Sequence, residues 1–138
     1  MTTWLIDTAL FKALAPGRAP SVRQWLETNE ASIFLSVASV VELNAAIARM
    51  FESQKQRREA MRAWLDGLVS AYVDRIHPVD VQIALRAGAL MPNLRDKPPR
   101  HRFHDATLVA TAQIHGHGLL TRRDTTFGPW TEVPIEIL

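Results

Sequence analysis

The chain has no cysteine, which excludes a disulfide framework and any thiolate zinc site and agrees with a reducing, cytoplasmic setting. Long apolar runs are also missing. None approaches the roughly 20 residues that cross a bilayer, and the first residues lack the basic segment and hydrophobic stretch of a secretion signal. A soluble protein with no membrane association is therefore expected. Repeats, low-complexity tracts and long linkers are absent too. The 138 residues, 47% of them apolar, have the size of one domain around a single core, so residues 1–138 are expected to form one unit. The five histidines are scattered without metal-finger spacing.

Neither sign of charge dominates: the formal net charge is +2. Distribution says more than the total. Arg49, Lys55, Arg57, Arg58 and Arg62 crowd one region, Arg95, Lys97, Arg100, His101 and Arg102 a second, and Arg122-Arg123 a third. Such clusters suit a phosphate backbone. Interleaved with Glu52, Glu59, Asp66 and Asp96, they are equally the pattern of an ordinary solvated face.

Short strands alternate with helices along the chain. Leu5-Ile6 begin a strand, Ala9 to Ala13 form a short helix ending before Pro16-Gly17, and a second helix covers Ser21 to Thr28. Ile33 to Ser36 form the next strand. Ser39 opens a helix in which Val40, Leu43, Ile47 and Phe51 recur at helical spacing. Gln56 to Tyr72 is another helix, with Met61, Leu65 and Leu68 inward. Arg75 to His77 is a short strand, and Asp80 caps a helix that runs to Leu90. Three prolines and many charges in Pro92 to Arg102 predict an exposed loop. Phe103 to His115 is helical, Gly116-His117-Gly118 ends that helix, Leu119 to Thr121 is a strand, and Ile135 to Ile137 a final one. Strands separated by helices cannot be hairpin partners. The expected fold is α/β: a small doubly wound parallel sheet of about five strands with helices on both faces. Trp25, Trp64, Phe103 and Trp130 are far apart in sequence and are expected in the core or at an interface.

Ligands and chemistry collect beyond the carboxyl ends of strands in such a sheet. Asp7 ends the first strand, Glu42 lies early in the helix after the second, Asp105 follows the basic loop, and Asp124 follows the Leu119 to Thr121 strand. Taken singly, each acid has a simpler role. Asp7 is placed to cap the next helix. Ser39 with Glu42 has the spacing of a capping box. Asp105 can oppose the positive end of its helix, and Asp124 suits a turn. Taken together, gathered carboxylates repel one another unless a cation offsets them. Carboxylate and water ligands suit Mg²⁺ or Mn²⁺. Such ions can orient a water for in-line attack on a phosphodiester.

In four places the sequence resembles the PIN-domain nucleases, and among them the VapC-type toxins of bacterial toxin-antitoxin pairs. LIDT (Leu5 to Thr8) resembles the opening hydrophobic-Asp-Thr motif, and SVASVVEL (Ser36 to Leu43) the second block, with Glu42 as its acid. HDATLVATA (His104 to Ala112) resembles the helix carrying the third acid, Asp105, and HGHGLLTRRD (His115 to Asp124) the closing strand and turn. These blocks span Leu5 to Phe127, nearly the whole chain.

The resemblance implies a single PIN-like domain and a Mg²⁺- or Mn²⁺-dependent endoribonuclease, usually a homodimer, inhibited by a cognate antitoxin that occupies the acidic crevice. It also implies metal-site roles for Asp7, Glu42, Asp105 and Asp124, with the Thr121 hydroxyl close by. Arg100, Arg102, Arg122 and Arg123 are candidates for contact with RNA. Two positions depart from the pattern. Ala9 stands where Asn or Ser is frequent, and Arg123 intervenes before Asp124. Two alternatives carry different chemistry. One is a silent RNA- or protein-binding PIN module. The other is an Asp-based phosphoryl-transfer or receiver domain, for which Ala9 stands where a phosphatase would place a second Asp. Histidine acid-base cleavage is less attractive, because no histidine pair recurs where a crevice is expected.

Overall fold

A computed structural model describes residues 1–14, 20–122 and 127–138. Among them, five short strands form one parallel sheet in the order β3-β2-β1-β4-β5: β1 Trp4–Ile6, β2 Ile33–Ser36, β3 Ile76–His77, β4 Gly118–Thr121 and β5 Ile135–Ile137. Helices α1 Thr8–Leu14, α2 Pro20–Thr28, α3 Val37–Ala48, α4 Lys55–Ala71, α5 Val81–Leu90 and α6 Pro99–His115 connect them. The expected parallel α/β sheet is what forms, and among the described residues no helix is long and apolar enough to cross a membrane.

Alternation along the strands divides the core in two. Ile6, Ile33, Leu35 and Leu120 face one way and pack with Leu10 and Phe11 of α1, Leu26 of α2, Leu43 and Ile47 of α3 and Leu65 of α4. Leu5, Phe34 and Leu119 face the other way, against Leu108, Val109 and Ala112 of α6. Ile83 and Ala87 of α5 cover the far side of α6 at Ala106 and Ala110. Helix α6 is therefore sandwiched between sheet and helix and buried all round from Ala106 to Ala112. Its Thr107 and Thr111 tolerate this because each hydroxyl donates to the carbonyl four residues back, of Phe103 and of Thr107.

Close approach fixes one glycine. A Cβ on Gly118 would stand 2.5 Å from Cζ3 of Trp4 and 3.0 Å from the Pro134 carbonyl, so only glycine lets β4 lie between β1 and β5 here. Asp80 caps α5 as expected, one carboxylate oxygen accepting from the Ile83 N–H at 2.9 Å. Trp25, Trp64 and Trp130 pack against the cores as expected.

Four expectations are corrected. Pro92 to Arg102 is not one loop: residues Met91–Leu94 make a 3-10 turn that buries Leu94, and α6 begins at Pro99. Proline is well suited to a first helical position, where its missing N–H costs nothing. Asp105 consequently stands in the second turn of α6 rather than the first, away from the helix end. The cap of α3 is Ser36, whose Oγ accepts from the Ala38 N–H; Ser39 lies inside the helix, so Ser39 and Glu42 form no capping box. Phe51, expected on the apolar stripe of its helix, lies beyond the end of α3 and is exposed; Phe103, expected in the core or at an interface, is 59% exposed and so lies outside the core.

Three of the scattered histidines meet around the carboxyl end of α6. His77 stacks on His115 with ring centroids 3.7 Å apart, and Nε2 of His77 lies 2.8 Å from Nε2 of His117. The other nitrogen of His117 bonds the Thr3 hydroxyl at 2.6 Å, and Phe34 stacks on His117. Burial, then the neighbouring His77 and His115, push His117 down to about 4; burial and His115 lower His77. Both shifts favour the neutral form of His77 and His117.

Candidate functional site

The order β3-β2-β1-β4-β5 reverses direction at β1, with β2 on one side and β4 on the other. At such a switch point the connections diverge and leave a crevice beyond the carboxyl ends of the strands. Asp7 and Thr121 stand there on adjacent strands. The Asp7 backbone N–H donates to the Leu120 carbonyl at 2.9 Å, and its carbonyl accepts from Leu10 N–H as α1 begins. The Thr121 hydroxyl, itself buried, donates to Oδ2 of Asp7 at 2.7 Å. The capping position and the crevice position of Asp7 are thus one: backbone starts the helix, carboxylate faces Thr121.

Glu42 and Asp105 stand on the two helices that pack on opposite faces of the sheet, α3 and α6. Glu42 Oε2 lies 3.0 Å from Nδ1 of His104, and Asp105 Oδ2 lies 3.9 Å from the Lys97 ammonium. His104 continues inward, its Nε2 2.8 Å from the Thr8 hydroxyl, which is bonded in turn to the buried Ser39 hydroxyl at 2.9 Å. A sequence neighbour of each of two motif acids, Thr8 after Asp7 and His104 before Asp105, is thereby tied to the other blocks. Arg102 donates from Nε to the Lys97 carbonyl at 2.8 Å, holding the segment that carries Lys97.

Carboxylates and hydroxyls, without thiolate, are the donor chemistry of a hard divalent cation. That two of the acids already face cationic or N–H partners marks a place where negative charge needs compensation. The donors are not closed on one point, however: among the described residues no group of three histidine, aspartate or glutamate side chains is arranged to hold a metal ion. Asp124 and Arg123 lie outside the described residues. Arg100 and Arg122 are exposed, and Arg102 is half-buried.

Beside the acids runs a groove of about 550 Å³, with Val37, Val41, Val79 and Phe103 among its lining residues, Glu42 and His104 shared with the crevice, and Arg49, Arg100 and His101 also lining it. In the sequence Ser39 reads as a capping residue, Lys97 as one member of a basic cluster and His104 only as the residue that opens the third motif. The signal present was adjacency: His104 precedes Asp105, and Thr8 follows Asp7. Which way those side chains turn depends on helix phase across three separate elements.

Comparison with solved structures finds the same fold. FitAcB from Neisseria gonorrhoeae superposes with a TM-score of 0.77 at 22% identity, covering 96% of each chain. VapBC2 from Rickettsia felis, bound to a DNA fragment from its promoter, gives 0.76 at 16% identity over 99% of each chain. A toxin-antitoxin complex from Klebsiella pneumoniae gives 0.64 at 24% identity, covering 97% of this chain and 96% of that one. Comparison with curated proteins finds no match. The PIN domain family model matches residues 5–128, from the strand that leads into Asp7 to Gly128, and the chain belongs to the PIN domain family.

Proposed function

We propose that this PIN domain is a Mg²⁺- or Mn²⁺-dependent endoribonuclease and the toxin of a toxin-antitoxin pair. The observation that carries this reading is the hydrogen bond from Thr121 to Asp7 across the switch point; the link from Glu42 through His104 to Thr8, the residue after Asp7, supports it. The breadth of the family match supports it. That the structural neighbours include toxin-antitoxin complexes supports the biological role.

In this reading Asp7 and Asp105 hold the ion directly. Glu42 and Asp124 act through water or orient it, and Thr121 fixes the Asp7 carboxylate. When bound, the ion offsets carboxylate repulsion and stabilises charge on the phosphate and its leaving oxygen. Water adds to phosphorus as the bond to O3′ breaks, leaving a 5′-phosphate and a 3′-hydroxyl. Arg100, Arg102, Arg122 and Arg123 hold the flanking phosphates. The apolar groove with exposed Val41 and Phe103 supports a protein partner on this face, an antitoxin or the second subunit of a homodimer. The cytoplasm is the setting in which RNA and antitoxin would be met.

The test is purified, antitoxin-free protein incubated with RNA and Mn²⁺ or Mg²⁺. Ion-dependent products ending in 5′-phosphate are expected, and Asp7→Asn should remove cleavage by at least about a hundredfold while the fold remains. Intact RNA after incubation with folded wild type and either ion would refute the nuclease reading. A silent binding module is the second reading, favoured by the turning of Glu42 and Asp105 toward His104 and Lys97; it gives RNA or partner binding without cleavage.

A further inference from the structure

We infer that His104 is a positioning residue that fixes the Glu42 carboxylate for ion binding; the inference rests on the nuclease reading above. One imidazole here joins three separate parts of the chain. Its Nε2 lies 2.8 Å from Thr8 Oγ1, the residue after Asp7. Its Nδ1 lies 3.0 Å from Glu42 Oε2. Its backbone adjoins Asp105 on α6.

The linkage is directional. Thr8 is buried and bonded to Ser39, which is fully buried, so the inner anchor of the ring is set by the core. A rigid ring anchored at Nε2 presents its other edge in one direction, toward Glu42. Because an ionised carboxylate is acceptor-only, Nδ1 must donate. Glu42 needs such a guide: its side chain is 38% exposed, whereas that of His104 is 14% exposed, and a long carboxylate on a helix surface otherwise samples several rotamers. Both ring nitrogens being engaged, His104 acts through Glu42 and Thr8 rather than as an ion ligand itself. The arrangement is that of an outer residue orienting an inner one.

Two substitutions separate the two edges of the ring. In His104→Asn the amide nitrogen stands near the former Nδ1 and can still donate to Glu42, while Thr8 is abandoned. In His104→Gln the amide reaches Thr8 instead and Glu42 is abandoned. Mn²⁺ affinity is read by titration calorimetry, RNA cleavage by kcat and KM separately, and folding by thermal melts. His104→Gln should weaken Mn²⁺ binding about 10–100-fold and lower kcat with little change in KM, whereas His104→Asn, which loses the Thr8 anchor but keeps a donor to Glu42, should recover part of that loss. Equal losses in both variants, or no loss in His104→Gln, would overturn the positioning role. Absence of Mn²⁺ binding and of cleavage in the wild type would overturn the nuclease reading and this one with it. Only that outcome appears in the wild-type arm, so the two failures are told apart.

Discussion

His117 should make the fold sensitive to acid in a measurable way. Its ring is 6% exposed, bonded at one nitrogen to Thr3 and at the other to His77, with His115 stacked on His77. A proton added to this array is disfavoured by burial and by the neighbouring rings, which is why His117 falls from an ordinary 6.5 to about 4. Above pH 6.5 the folded and unfolded chains are both neutral at this residue, and its contribution to stability is complete. As the pH falls from 6.5 toward 4, the unfolded chain takes up a proton that the folded chain refuses, so stability declines; below about 4 the loss is complete. At about 1.4 kcal/mol for each pH unit, the interval amounts to about 3 kcal/mol. Urea unfolding of wild type and His117→Gln at intervals from pH 8 to pH 4 isolates it, because the carboxylates titrate in both proteins. Wild type should lose about 3 kcal/mol more than the variant over that range. Parallel stability curves, or a native-state His117 resonance titrating near 6.5, would refute the reasoning.

Two further outcomes test the fold that carries the crevice. Gly118→Ala places a Cβ 2.5 Å from the Trp4 ring and 3.0 Å from the Pro134 carbonyl; a destabilisation of about 1–3 kcal/mol is expected, seen as a lower thermal midpoint, and an unchanged midpoint would show that β4 has room to shift. Asp80→Ala removes the acceptor of the Ile83 N–H at the start of α5 and should cost about 1 kcal/mol in denaturant unfolding, with Asp80→Asn retaining most of it.

The sheet was legible because its signals are local. IFLS reads as a strand and forms one from Ile33 to Ser36, and Asp80 reads as a cap and is one. Errors came where one local rule admits two answers. Pro98-Pro99 fits a loop and also the first turn of a helix, and the helix prevails. Ser36 and Ser39 both fit a cap, but the fully buried Ser39 is turned toward Thr8. Asp7 was legible as an acid at a strand end, and Glu42 and Asp105 as acids on helices. Their partners were not: His104 against Glu42 follows from the rotation of α6 relative to α3, which no spacing within one segment encodes, and Lys97 against Asp105 from how the residues before α6 fold back on it. The histidine cluster is the extreme case, since it joins residues from the start, middle and end of the chain.

The bond between Thr121 and Asp7 also sets an order in time. A ribosome adds Asp7 to the chain 114 residues before Thr121, the partner of its carboxylate. Until β4 emerges, the central strand has one edge without a neighbour and its carboxylate has no wall opposite. A nascent chain, or one that terminates before Gly118, therefore carries Asp7, Glu42 and Asp105 without the strand that holds the Asp7 carboxylate.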